Sequence, residues 1–210
     1  MPINISMLNA TGKLNKYTSV LEDKIQNTLE KISDYFLLDC LDITVTPFHK
    51  GDASPSGIGG YSLSPHRVEL LLDCDREDLD EVINNELASV LAHEIHHSVR
   101  IGLGVPSDTL GQQIITEGMA CHFELAITNG KIPSLFNSLK NHDWQILLEQ
   151  MKPLLDEKNQ SVSKYFLGSE PDKFPKYAGY WVGFNLISLY VEKHQTGEFE
   201  LAGMDSERFF

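Results

Sequence analysis

Cysteine is scarce in this chain. Only Cys40, Cys74 and Cys121 occur among 210 residues. The number is odd and the spacing wide, which excludes a disulfide framework and fits a reducing compartment such as the cytoplasm. Basic residues are also short. Seventeen Lys and Arg face thirty Asp and Glu, so the formal net charge is -13 and the pI is near 4.9. A protein this acidic repels phosphate backbones, and no dense basic patch overrides the average, so nucleic acid is not an expected partner. The acidity serves solubility. Long apolar runs are missing too. The longest candidate, Tyr180 to Val191, is too short to span a bilayer and carries Asn185, so no membrane partner is expected. The opening MPINISMLNATGKLNK has no charged start followed by an apolar run and does not read as a signal peptide. Internal repeats and low-complexity segments are absent.

What remains is an ordinary globular composition. Hydrophobic residues make up 41% and charged residues 22%, enough to bury a core, and one domain over residues 1–210 is the expectation. Val20, Ile25, Leu29, Ile32 and Phe36 recur at helical spacing and predict a first helix over about Leu14 to Leu38. LDITVTPF alternates apolar with polar residues, as a strand does. The Gly-, Pro- and Ser-rich HKGDASPSGIGGYSLSP reads as a loop with a short extended piece around Gly60 to Leu63, and RVELLLDCD reads as a second strand. From Leu79 to about Gly102 the period is helical again, with Gly102, Gly104 and Pro106 ending it. Ser107 or Asp108 is the expected cap of a helix running to about Thr128. Further helices are expected over about Asp143 to Glu157, with a kink at Pro153, and over about Tyr177 to His194. A helix, a small sheet and then helices make an α+β domain.

The chemistry concentrates in LAHEIHHSVR, which contains one H-E-x-x-H: His93, Glu94, His97. Residues four apart on a helix share a face, so His93 and His97 can point at one ion. Glu94 falls just beyond His97 on the same arc, within reach of a water on the metal but not of the metal itself; this is the arrangement of zinc proteases. A pair made from His93 and His96 would leave Glu94 badly placed, so His96 is read as a supporting or packing residue. Catalytic zinc takes three protein ligands. The preferred third is Glu117, 20 residues after His97 in the next helix, where Gly118 would permit close helix approach. His122 competes and would make all three ligands histidine. Against these stands the plain alternative of a chance motif on a solvated helix face.

LAHEIHHSVR, ITEGMACHF and KYAGYWVGFNLI, in that order, resemble the YjaZ-like family of predicted zinc-dependent proteases, found mostly in bacteria. The resemblance covers the chain from the strands to the C-terminus. More widely it is to the gluzincins, and it implies a zincin-like fold, Zn2+ as cofactor, His93, His97 and Glu117 as ligands and Glu94 as catalytic base. One departure matters. Many gluzincins carry an acidic residue four positions after the ligand glutamate, buttressing a zinc histidine, and here that position is Cys121. A thiol is a weak hydrogen-bond partner, so another carboxylate or a backbone carbonyl must orient the imidazoles, or the site is less rigid.

A phenol can donate to an oxyanion, and Tyr180 is the first choice for that role and Tyr177 the second; helix packing is the competing explanation. Gly179 and Gly183 leave one helix face bare for close packing. An extended peptide is expected to add to a strand edge at GIGGYSLS, with Gly59, Gly60 and Tyr61 as substrate-binding residues; a flexible hairpin is the alternative. His49 and His66 are expected to be surface histidines. The expected function is peptide-bond hydrolysis on a peptide or protein substrate. The rivals are a metal hydrolase of non-peptide amides and a non-catalytic zinc scaffold or sensor, and Glu94 speaks against the last, because a structural site has no need of a base. The tail GEFELAGMDSERFF either covers the cleft or packs elsewhere.

Overall fold

The computed structural model describes residues 3–48, 56–158 and 163–210. His49 lies outside them. The chain is α+β and forms two compact units, one of Met1–Gly102 with Glu124–Lys131, the other of Leu103–Phe123 with Ile132–Phe210.

The first unit opens with a strand the sequence reading did not anticipate, β1 (Ile3–Met7). Its five residues alternate apolar and polar, but too few of them stand together to announce a strand. Their partner is distant: β1 pairs in parallel with β2 (Leu41–Phe48), from Ile3 opposite Leu41 to Met7 opposite Val45. β2 pairs in parallel with β4 (Arg67–Asp73), and β4 pairs antiparallel with β3 (Ile58–Ser64). The sheet order is β1-β2-β4-β3, so β3 is an edge strand. Ile43, Val45, Val68 and Leu70 line its core face and are fully buried. The expected extended piece at Gly60 to Leu63 is therefore a full strand.

Helix α1 (Thr18–Ile32) is shorter than its periodicity predicts. Leu14, Tyr17 and Phe36 are buried in the flanking turns instead of on the helix. Helix α2 (Leu79–Gly102) begins and ends where expected. Asp80 and Glu81 in its first turn and Arg100 in its last complement the helix dipole. α2 lies against β3 and β4, and α1 packs beside it.

Helix α3 (Leu110–Ile127) runs unbroken from the second unit into the first. Its cap is Thr109, not Ser107 or Asp108. Thr109 Oγ1 accepts from the Gln112 N–H at 3.3 Å, and Gln112 Oε1 accepts from the Thr109 N–H at 3.1 Å and the Asp108 N–H at 2.8 Å. This reciprocal box satisfies more of the helix's orphan donors than either expected residue does alone. At the other end, Lys131 Nζ donates to Asn85 O at 2.6 Å and to Glu86 Oε1 at 3.0 Å, which ties the exit of α3 to α2.

In the second unit, α4 (Trp144–Met151) is capped by Asp143, whose side chain accepts from the Gln145 N–H. It tightens into a 3-10 turn at Lys152–Leu154, where Pro153 sits. Helix α5 (Ala178–His194) crosses α3 at two glycines. A Cβ on Gly118 would overlap the Gly183 backbone, and one on Gly183 would overlap the Ile114 carbonyl. The close approach expected at Gly118 is thus made with α5. Gly179 meets the Phe166 ring, in the π-helical turn Ser163–Leu167.

The tail packs rather than hangs free. Leu201 of α6 (Glu198–Ala202) and Phe209 join Ile115 and Met119 of α3 and Ile187 of α5 in one apolar cluster. Ile115 and Met119 sit two residues either side of Glu117, on the opposite face of α3. No helix among the described residues is long and apolar enough to cross a membrane.

Gly183→Ala should lower the melting temperature, because the methyl has no space between two backbones. Overpacking costs about 1–3 kcal/mol, which for a domain of this size is roughly a 3–10 °C drop in thermal unfolding. Ala at Gly197, where a Cβ meets nothing within 4 Å, should leave it unchanged within about 1 °C by the same scaling.

Candidate metal centre

α2 is the platform. His93 and His97 lie one turn apart, their ring centroids 4.6 Å apart and their planes at 84°. Both are partly buried. His96 faces elsewhere. It is fully buried, edge-on to Phe36 at 6.0 Å, as the packing assignment requires.

His93 is oriented by a residue the sequence reading passed over. Its Nδ1 lies 2.9 Å from Glu124 Oε1 on α3. A carboxylate oxygen only accepts, so Nδ1 carries the proton and Nε2 is the ring nitrogen left with the chemistry of a metal ligand. Ser89, one turn before His93 on α2, donates its hydroxyl to the other oxygen, Glu124 Oε2. Glu124 is 5% exposed, and burial of this kind is tolerable because both oxygens are bonded. The buttress sought four residues after Glu117, where Cys121 stands, lies seven residues after it. Seven residues are about two helical turns, so Glu117 and Glu124 share one face of α3. That in-phase repeat was the available signal.

Glu94 is 8% exposed and turns toward the sheet. Ser62 on β3 donates to its carboxylate Oε2 at 2.9 Å and also reaches its backbone carbonyl. A Cβ on Gly60 would overlap the Glu94 side chain. Gly60 and Ser62 therefore face α2, and strand alternation turns Gly59 and Tyr61 to the other face. Tyr61 is 55% exposed there. The Asp73 N–H donates to Gly57 O at 3.0 Å. By the register, the main-chain groups of Gly59 and Tyr61 turn to β4, and those of Gly60 and Ser62 turn to the open edge.

Among the described residues, two sets of side chains have the chemistry to hold a metal: His93, His97 and Glu117; and His93, Cys121 and Glu124. His122 belongs to neither. Its Nδ1 is 2.8 Å from Glu198 Oε1 and its ring lies by Phe184. It lies five residues on from Glu117, about 140° round α3, and pins α6 instead. In the second unit, Tyr180 packs edge-on to Phe166 at 5.2 Å and near Tyr177 at 5.9 Å. Tyr177 holds the left-handed N-cap of α5 at φ 70°. Of the flanking histidines, His66 is exposed, as expected, with Nδ1 3.1 Å from Cys40 O.

Comparison with known proteins adds a family. A similar protein is the uncharacterized protein YjfC of Bacillus subtilis (strain 168), 27% identical over 135 residues; the match covers 58% of this chain and 45% of that protein, so this chain corresponds to less than half of it. No solved structure matches. The model of one family, described as "Predicted Zn-dependent protease (DUF2268)", matches residues 21–210, and the chain belongs to that family.

Proposed function

We propose that the protein is a zinc-dependent peptidase of the minimal gluzincin type, with a zincin-like fold, in which His93, His97 and Glu117 hold the metal and Glu94 is the general base. The observation that carries this reading is the Glu124–His93 hydrogen bond, which orients the His93 ring beside that of His97. Two imidazoles and one carboxylate are a donor set that suits zinc. Glu117 is the preferred third ligand because it shares the α3 face of Glu124, and Glu124 already meets α2 at His93. α3 joins the two units without a break, so residues 1–210 are read as one functional domain, acting in the cytoplasm.

Zinc held there supplies Lewis acidity, which acidifies water toward a pKa of about 7 and polarises a carbonyl. The chain's own residues do the rest. Glu94 takes the proton from the attacking water and passes it to the leaving amine. Its burial against Gly60 and Ser62 limits the water around it. An extended peptide adds to the open edge of β3, where Gly60 presents main-chain groups and no side chain. Gly59 and Tyr61 flank that contact. Tyr180 is assigned to donate a phenolic hydrogen bond to the oxyanion.

The purified protein should carry about one zinc, as one three-ligand site implies, and cleave unfolded peptides. Glu94→Gln should keep the metal and lose about 100- to 10,000-fold in kcat, the usual worth of a positioned base; loss of zinc, or full activity, would show that Glu94 has another role. Glu117→Ala should strip the metal, whereas zinc that stays tight would move the third ligand to Cys121 or His122. Glu124→Ala should weaken zinc binding by about 10- to 100-fold, as removal of a ligand's hydrogen-bond partner does, measured by competition with a chromogenic chelator. Unchanged affinity would deny Glu124 its orienting role.

A further inference from the structure

We propose that Ser62 is the positioning residue of the reaction: it holds the Glu94 carboxylate in the one orientation from which it can take a proton. The inference rests on the reading of Glu94 as the base, and adds to it a residue that belongs to no part of the motif.

Ser62 bonds two atoms of the same residue. Its Oγ lies 2.9 Å from Glu94 Oε2 and also within hydrogen-bond reach of the Glu94 backbone carbonyl. A glutamate side chain has three rotatable bonds between those two points, and losing their freedom costs entropy. A hydroxyl that spans both ends removes it before substrate arrives. The hydroxyl has one proton and two acceptors. Shared between Oε2 and the backbone carbonyl, that proton leaves Oε1 as the carboxylate oxygen Ser62 does not engage. Gly60 fixes the other side of the carboxylate, since any side chain there would occupy the place of Glu94.

The location of Ser62 gives the contact its meaning. Gly60 and Ser62 alternate on the α2-facing side of β3, and their main-chain groups turn to the open edge. The segment that restrains the base is thus the segment whose edge is open to an extended chain. Ile58 O, one pair earlier, is already taken by the Ser56 hydroxyl at 3.1 Å. Beyond it, the edge-facing main chain of β3 continues at Gly60, level with Glu94. After Ser62 the register of β3 slips against β4, which confines the regular edge to the residues that touch the base.

The test is kinetic, with a readout independent of turnover. Ser62→Ala in the zinc-loaded full chain should lower kcat about tenfold, the worth of one hydrogen bond to a charged group, with KM within about twofold because the main chain of the edge is kept. Zinc content and melting temperature should match the wild type. Ser62→Thr keeps the hydroxyl and should restore most of kcat. In metal-free protein, the infrared difference between wild type and Glu94→Gln isolates the Glu94 carboxylate band, and Ser62→Ala should shift it. The inference is overturned if Ser62→Ala leaves both kcat and the band unchanged while Glu94→Gln is inactive, or if Ser62→Ala loses zinc together with activity. Activity retained by Glu94→Gln would instead overturn the reading beneath it. If Ser62→Thr fails to fold, Gly60→Ala answers the same question: its methyl displaces the carboxylate, and kcat should fall with zinc retained.

Discussion

The Glu124 carboxylate is the tie on which the centre depends. It joins the last turns of α3 to the middle of α2 through His93 and takes Ser89 on its second oxygen. Neither bond would be strong in water, where each partner has a good alternative. In a buried setting the alternative is an unsatisfied charge, and that asymmetry makes the arrangement specific. The tie sets the tautomer of His93, the register between two helices and, through helical phase, the face on which Glu117 lies.

α3 distributes its duties by angle. One face carries Glu117 and Glu124. The roughly opposite face carries Ile115, Met119 and His122, which receive the C-terminal segment through Leu201, Phe209 and Glu198. A third contact is made at Gly118, where only hydrogen fits against the α5 backbone. A helix gripped on several sides cannot roll, and this fixes the direction in which Glu117 leaves it. The tail thus contributes to the rigidity of α3 from behind.

β3 is divided in the same way by the period of two. Gly60 and Ser62 face α2, and Gly59 and Tyr61 face outward. Glycine at position 60 makes room for Glu94, and serine at position 62 holds it. The stretch read from sequence as glycine-rich and open to a second backbone is therefore also the wall against which Glu94 is set.

Periodicity was enough for α2, the sheet strands β2 and β4, α5 and the α+β class, because a half-buried element writes its period into the sequence. The H-E-x-x-H spacing was enough to single out His93, Glu94 and His97, since one helical turn relates them wherever the helix lies. β1 was not legible, because five residues owe their strand to a partner nearly forty positions away. Nor were Glu124, Ser89 and Ser62. Their roles depend on which face of one element meets another, and no local pattern records that. The sequence by itself determined the helix that spaces His93, Glu94 and His97. Only the tertiary structure decided which carboxylate orients His93, which hydroxyl restrains Glu94 and where the tail goes, because those choices are made by burial and hydrogen-bond satisfaction between segments remote in the chain.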